Sequence, residues 1–206
     1  MTQTLASDKN TFGCVGNTIR LRSGCYFNLA DPKPDQFTLQ DIAGALSKIC
    51  RFGGQIDRFY SVAEHSCLCA SVAVGDGHSS EVARACLLHD AAEAFIGDCV
   101  KPLKIMLPDY SRIESAVEDA IAQHFGIVWD AETCRIVREI DHSMLIHERR
   151  KLLSRDKVKW AGEDQVRDFT FDLACLDSFE AENFFNRMAK ALGVRGTVYA
   201  STSLKV

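Results

Sequence analysis

Four residues with acid–base or metal-binding side chains lie close together near the middle of the chain. They are His89, Asp90, Glu93 and Asp98, and the residues between them are mostly apolar or small. Such residues usually occupy the interior of a fold, where unpaired charges are costly. A divalent cation can pair with an imidazole and several carboxylates at once, so this stretch favours a metal-binding centre.

Two further candidates lie on helices that the spacing of apolar residues predicts. His65 follows a capping box formed by Ser61 and Glu64, and it lies on the inward face of its helix. A core histidine satisfied by a hydrogen bond is the alternative interpretation of His65 taken alone. Asp141 lies on the apolar stripe of a helix predicted over residues 130–153, where a carboxylate needs a partner.

A helix predicted over residues 80–96 places Glu93 four residues after His89, on the same face. Gly97 ends that helix and leaves Asp98 on the following turn. The inward polar residues then form a set of two imidazoles and two carboxylates, namely His65, His89, Asp90 and Asp141. This set suits one divalent ion such as Mn²⁺, Co²⁺, Fe²⁺ or Zn²⁺.

A metal ion in that set would polarise a phosphoryl group and lower the pKa of its water. Glu93 and Asp98 have no role as ligands, and they lie near enough to move protons. Lys104 is available to neutralise the charge of a phosphate.

The order of these residues resembles the signature of the HD-domain metal-dependent phosphohydrolases. The longer match comprises Ala63-Glu64-His65-Ser66, His89-Asp90-Ala91-Ala92-Glu93, Gly97-Asp98 and Lys104. It is similar to the branch that contains the YfbR-type 5′-deoxynucleotidases and the phage deoxynucleoside triphosphohydrolases. The resemblance covers about residues 45–153.

The resemblance implies an all-α HD-domain helical bundle with one metal ion held by His65, His89, Asp90 and Asp141. It implies catalytic carboxylates at Glu93 and Asp98 and a phosphate-contacting lysine at Lys104. It also implies a substrate-contacting arginine followed by an aromatic residue, a place that Arg51 and Phe52 fill. For Glu93, the alternative role is a hydrogen-bond acceptor that orients a metal ligand.

The remaining patterns divide the chain into three parts. Residues 1–37 are predicted to form an irregular arm or a β-hairpin, residues 38–194 the HD domain, and residues 195–206 a tail. Within the domain we expect an irregular stretch between Pro102 and Pro108 and a helix capped by a box of Ser111 and Glu114. A last helix is expected over residues 178–192. On the helix predicted over residues 130–153, His142 and His147 are expected to be surface or boundary residues.

Composition limits the classes of partner. A formal charge of −4 argues against a nucleic-acid surface, and neither a signal peptide nor an apolar run of membrane-spanning length is present. The nine cysteines include no C-x-x-C pair. We interpret Cys67, Cys69, Cys86 and Cys134 as buried free thiols in a reducing cytoplasm, with a cysteine-ligated zinc site as the alternative.

We expect the substrate to be a small nucleotide rather than nucleic acid or membrane lipid, and the protein to be a cytoplasmic homodimer. A (deoxy)nucleoside 5′-monophosphate is favoured, because Arg51, Arg58, Lys101 and Lys104 supply enough positive charge for one phosphate and only marginal charge for three. The enzymatic alternatives are a triphosphohydrolase and a cyclic- or alarmone-nucleotide hydrolase. The non-enzymatic alternative is a metal-stabilised regulatory or binding module.

Overall fold

A two-stranded hairpin precedes the helices. The computed structural model describes residues 15–153 and 157–195, in which Thr18–Arg20 (β1) and Tyr26–Asn28 (β2) pair in antiparallel fashion. Phe27 of β2 is fully buried, and its ring stacks on Phe95 with 4.1 Å between the centroids. The described part of the predicted arm therefore packs into the same core as the helices.

Most of the described chain is α-helical, which confirms the predicted helical class with a small hairpin near the amino terminus. The helices are Leu39–Leu46 (α1), Val62–Gly75 (α2), Ser80–Leu88 (α3), Glu93–Ile96 (α4), Lys101–Lys104 (α5), Pro108–Phe125 (α6), Ala131–Leu152 (α7) and Ser178–Ala191 (α8). Helix α2 packs against α3, α7 and α8 and is the central element. Residues 1–14 of the predicted arm and 196–206 of the predicted tail lie outside the described residues.

The prediction of a single helix over residues 80–96 is wrong, because the helix is broken at His89. Helix α3 ends at Leu88, residues 89–92 form a turn, and α4 begins at Glu93. Tight turns replace the helical bonds here, since the Leu88 carbonyl accepts from the Ala91 amide at 3.1 Å. His89 and Asp90 therefore lie on a turn, which frees adjacent side chains from the fixed directions of a helix.

The predictions between α4 and α6 also need correction. The stretch between Pro102 and Pro108, predicted to be irregular, contains the short helix α5. Helix α6 begins at Pro108, so Ser111 lies within its first turns and does not cap it. Proline is well suited to the first helical position, because its missing N–H would have no partner there.

The capping box predicted at the start of α2 is only half formed. The Ser61 hydroxyl accepts from the Glu64 amide at 3.1 Å, as an N-cap does. The Glu64 carboxylate instead accepts from the backbone amides of Cys175 and Leu176 at 3.0 and 2.8 Å. Glu64 thus joins the segment before α8 to α2.

His147 was predicted at the surface or at the boundary of the core, and the structure shows it buried on α7. Its ring packs against Phe169 and Phe171, with centroid separations of 5.7 and 4.9 Å. The segment between α7 and α8 covers this side of the helix, which the helical pattern of α7 alone does not reveal. His142 is exposed, as predicted. No helix among the described residues is long and apolar enough to span a membrane.

Candidate metal centre

His65 lies in the first turn of α2, and its side chain is fully buried. Its Nδ1 is 2.6 Å from Oε1 of Glu148 on α7. Because the Glu148 carboxylate accepts, Nδ1 donates and Nε2 keeps its lone pair. Histidines that bind metals usually donate their other ring N–H to a carboxylate or a backbone carbonyl in this way.

His89 is arranged in the same manner on the turn after α3. Its Nδ1 lies 2.8 Å from the Cys86 carbonyl oxygen, which is an acceptor, so Nδ1 donates there as well. The Nε2 atoms of His65 and His89 face each other at 3.3 Å. A cation shared by two facing nitrogens, whether a proton or a metal ion, removes the repulsion between their lone pairs. The two rings therefore fit a bound metal ion.

Two carboxylates complete the cluster. Oδ2 of Asp90 lies 3.5 Å from Nε2 of His65 and 3.2 Å from Nε2 of His89. Oδ1 of Asp141, on α7, lies 3.3 and 3.7 Å from the same two nitrogens. The structure thus brings together all four residues that the sequence assigned to the metal. Their oxygen and nitrogen donors suit a divalent ion.

The carboxylates of the cluster create an electrostatic environment that favours a cation. Burial by itself raises the pKa of Asp90, but the neighbouring His89 holds that pKa at about 2. Burial by itself lowers the pKa of His89, yet Asp90 and Asp141 raise it well above its ordinary value. The raised pKa of His89 expresses a negative field around the imidazoles, and the same field favours a bound metal ion.

Glu148 is a central residue of the site that the sequence analysis missed. It is fully buried, and its Oε1 also accepts from the Tyr60 hydroxyl at 2.8 Å, while Oε2 accepts from Nε of Arg51 at 3.0 Å. Arg51 and His65 keep its pKa low in spite of burial. Its position seven residues after Asp141, two helical turns along α7, is the signal that could have identified it.

Arg51 and Phe52, the predicted substrate-contacting pair, lie beside the cluster. The Arg51 side chain is buried, and its Nη1 donates to Oδ2 of Asp90 at 3.3 Å. Phe52 has a φ of 57°, a left-handed conformation that bulky residues rarely adopt. Its ring centroid is 6.4 Å from that of Trp160. Strained backbone of this kind is often found at functional sites.

Glu93, the first residue of α4, is a buried carboxyl group beside the cluster. Its Oε2 has no hydrogen-bond partner among the residues that the structure describes. Burial, together with the negative charges of Asp90 and Asp98, raises the pKa of Glu93 to about 9. At neutral pH this carboxyl group therefore holds a proton, as a general acid must.

Asp98 lies on the loop after α4, as the sequence predicted. Gly97 has a φ of 79°, which only glycine adopts readily, and its carbonyl accepts from the Tyr110 hydroxyl at 2.8 Å. Burial raises the pKa of Asp98, and the charge of Arg51 opposes that shift. The loop thus holds Asp98 within the electrostatic reach of Glu93 and Arg51.

Lys104, the predicted phosphate contact, is held by a carboxylate on α6. Its Nζ donates to Oε1 of Glu114 at 2.7 Å and lies 5.7 Å from the centroid of the Tyr110 ring. Burial by itself lowers the pKa of Lys104, but Glu114 raises it above the ordinary value. Lys104 is therefore a positioned cation beside the centre, with its charge partly neutralised.

Cys69 is the second residue of the centre whose role the sequence analysis missed. It lies one turn after His65 on α2, is 1% exposed, and places its Sγ 3.6 Å from Nε2 of His65. The donor atoms of His65, Cys69 and His89 all lie within 4.8 Å of one another, so these three residues could hold a metal ion. Its four-residue spacing from His65 is the signal that could have indicated this.

Comparison with known proteins gives relatives but no activity. No family model matches the chain. The Escherichia coli K12 protein YfdR, whose name describes it as uncharacterized, is 38% identical over 142 residues, which make up 69% of this chain and 76% of YfdR. A Rhodobacter capsulatus protein that is also called uncharacterized is 34% identical over 113 residues, 52% of this chain and 58% of that protein.

Proposed function

The chain belongs to the family of the Escherichia coli protein YfdR, and we propose that it is a metal-dependent phosphohydrolase with an HD-domain fold. The proposed reaction cleaves the phosphoester of a nucleoside 5′-monophosphate and yields a nucleoside and phosphate. One observation carries this proposal. The Nε2 atoms of two buried histidines converge with the carboxylates of Asp90 and Asp141, and the carboxyl group of Glu93 is buried nearby.

The ion would be held by His65, His89, Asp90 and Asp141. When bound, it supplies Lewis acidity toward a phosphoryl oxygen and lowers the pKa of its water. Glu148 and the Cys86 carbonyl hold the two imidazoles in the tautomer that leaves Nε2 available. These contacts fix the ring orientations before an ion enters, which reduces the cost of forming the site.

Glu93 and Asp98 would handle protons in this reaction. With a pKa of about 9, Glu93 holds a proton at neutral pH that it can donate to the leaving 5′-oxygen of the nucleoside. Asp98 interacts electrostatically with Glu93 and Arg51, and it would accept a proton from the attacking water. Lys104, positioned by Glu114, would balance the charge of the phosphate.

The contacts that Arg51 and Lys104 already make support a monophosphate as substrate. Arg51 already contacts Glu148 and Asp90, and Lys104 already contacts Glu114. A triphosphate needs several cations around its β- and γ-groups. The rings of Phe52 and Trp160 supply a surface beside Arg51 on which a nucleobase can stack. A preference for 2′-deoxyribose rests on the resemblance alone.

A metal-stabilised regulatory module is the non-enzymatic alternative, and Glu93 argues against it. A purely structural centre gains nothing from a buried carboxyl group whose Oε2 lacks a partner among the described residues. Burying such a group costs stability, so a function that uses its proton explains its presence better. A triphosphohydrolase or a cyclic- or alarmone-nucleotide hydrolase would use the same chemistry on a different phosphate.

The proposal is tested with a panel of nucleotides and metals. The purified protein is incubated with dAMP, AMP and dATP in the presence of Mn²⁺, Co²⁺ or Mg²⁺, and the products are identified by chromatography. We expect deoxyadenosine and phosphate from dAMP. The His89→Ala protein, purified in parallel, controls for contaminating phosphatases. Inorganic triphosphate from dATP with dAMP untouched would favour the triphosphohydrolase, and no turnover with any pair would contradict the proposal.

A further inference from the structure

We propose that Phe27 and Phe37, in the described part of the arm, are positioning residues that act through Phe95 on the catalytic carboxyl group of Glu93. The inference rests on the proposed function, because it takes Glu93 as a residue that transfers a proton. The arm lies outside the part of the chain that the resemblance covers. The inference therefore gives this segment a role in the reaction that the resemblance does not assign.

Helix α4, which begins with Glu93, has few polar contacts that could hold it in place. It is only four residues long, and helices this short are not stable by themselves. No side chain of the described residues caps its amino terminus. Oε2 of Glu93 also lacks a hydrogen-bond partner within the described part of the chain. The position of Glu93 therefore depends on how the rest of α4 packs.

An aromatic cluster of Phe27, Phe37 and Phe95 supplies that packing. Phe95 lies two residues after Glu93 and stacks on Phe27, with 4.1 Å between the ring centroids and 23° between the ring planes. Phe37 packs edge-to-face against both rings, 5.8 Å from Phe27 and 5.3 Å from Phe95. All three side chains are buried. Closely packed rings cannot shift without moving their neighbours, so this cluster fixes α4.

The arm is itself attached to two helices. The backbone amide of Ser23 donates to Oδ1 of Asp41 on α1 at 2.8 Å. The Pro34 carbonyl accepts from Nδ1 of His124 on α6, and the His124 ring centroid lies 4.8 Å from that of Phe37. The arm therefore presents its rings to α4 as a rigid support.

The metal ligands are oriented by other contacts. Glu148 and the Cys86 carbonyl accept from the two imidazoles. Nη1 of Arg51 donates to Asp90. These contacts involve neither α4 nor the arm. We therefore expect a smaller side chain in the aromatic cluster to displace Glu93 and to leave metal binding intact.

Kinetic analysis of Phe27→Leu and of Phe37→Leu with dAMP tests the inference. Each variant removes ring volume beside Phe95 and keeps an apolar side chain, and either one suffices if the other does not fold. Misplacing a reacting group by about 1 Å can cost about 100-fold in rate, so we expect kcat to fall by about 10- to 100-fold. KM, and Mn²⁺ affinity measured by calorimetry, should match those of the parent. Phe185→Leu, at a fully buried ring of α8, is the matched control and should keep the kcat of the parent.

A double-mutant cycle separates positioning from a general loss of packing. In the Glu93→Gln protein, Phe27→Leu should change kcat by less than about threefold, because the carboxyl group that it positions is already absent. An equal fall in both backgrounds would overturn the inference. So would a kcat like that of Phe185→Leu, or a fall in Mn²⁺ affinity as large as the fall in kcat.

The activity of the parent distinguishes this inference from the proposed function. Any of those three results, obtained with a parent that hydrolyses dAMP, would leave the proposed phosphohydrolase intact. A parent that hydrolyses no nucleotide would overturn both.

Discussion

Oε1 of Glu148 lies 2.6 Å from Nδ1 of His65, and neither side chain is exposed to solvent. The same carboxylate also accepts hydrogen bonds from the Tyr60 hydroxyl and from Nε of Arg51. It sets the tautomer of a metal-binding imidazole and holds the guanidinium that reaches Asp90. Glu148 therefore positions the candidate metal centre and is not one of its proposed ligands.

The first prediction concerns Glu148→Gln. The amide keeps the shape of the side chain but loses its charge, so it holds the His65 N–H less strongly. We expect Mn²⁺ affinity, measured by calorimetry, to fall by about 10- to 100-fold. The free energy of unfolding should also fall, by about 3 kcal/mol, because the buried Arg51 loses the closer of its two charged partners and keeps only Asp90.

The control for this variant is Glu139→Gln, which changes an exposed glutamate on the same helix. Glu139 pairs with Arg135 at the surface, where a salt bridge contributes little. Its metal affinity and its denaturant midpoint should match those of the parent. Mn²⁺ affinity of Glu148→Gln within about threefold of the parent would show that Glu148 does not position the site.

The second prediction concerns the pH dependence of stability in the metal-free protein. The pKa of Glu93 is about 9 in the folded protein, against 4.5 for an ordinary glutamate. Between these values the folded state binds more protons than the unfolded state, so stability falls as pH rises. Glu93→Gln removes this dependence. The variant should gain stability relative to the parent as pH rises through that range.

Urea unfolding in the presence of a chelator measures this difference at a series of pH values. Glu81→Gln, a change at an exposed residue of α3, is the control. Because hydrogen bonds lower the pKa of Glu81, this variant should differ from the parent by a constant amount from about pH 5 to about pH 9. A stability difference between Glu93→Gln and the parent that stays constant from about pH 5 to about pH 9 would mean that Glu93 is ionised throughout.

The third prediction separates chemistry from metal binding. Glu93→Gln and Asp98→Asn should each keep the bound metal and the fold, because neither residue is a ligand. Each should lower kcat by about 100-fold or more, since an amide cannot transfer the proton. Each variant is compared with the parent by metal content, circular dichroism and steady-state kinetics, all measured on the same preparation. Rates within a few-fold of the parent would assign both residues a supporting role.

Helical periodicity was sufficient to place two of the metal-binding residues. His65 and Asp141 lie on apolar stripes of α2 and α7, and their inward direction follows from the spacing of the surrounding residues. His89 and Asp90 do lie beside His65 and Asp141, as the sequence predicted. They lie on a turn, however, and not on the helix that the prediction assigned to them. The pattern of residues 80–96 is uniformly helical, and the turn at His89 depends on tertiary packing that a local pattern does not contain.

The residues that the sequence did not reveal are those whose partners lie far along the chain. Glu148 contacts Arg51 and Tyr60, which precede it by 97 and 88 residues. No periodic pattern relates positions so distant, and a glutamate near the end of a helix is usually exposed. Cys69 was assigned to the core because its stripe is apolar, and only its distance to the imidazoles distinguishes it from Cys67.

The central claim is that the four converging residues hold a metal ion that phosphoester hydrolysis requires. Asp141→Ala tests it, because Asp141 reaches both imidazoles from a separate helix. The measurement is metal content by mass spectrometry, together with the rate of phosphate release from dAMP, on one preparation. We predict that both fall together, to below about one tenth of the parent. Full metal occupancy in Asp141→Ala, or full activity without bound metal, would contradict the account.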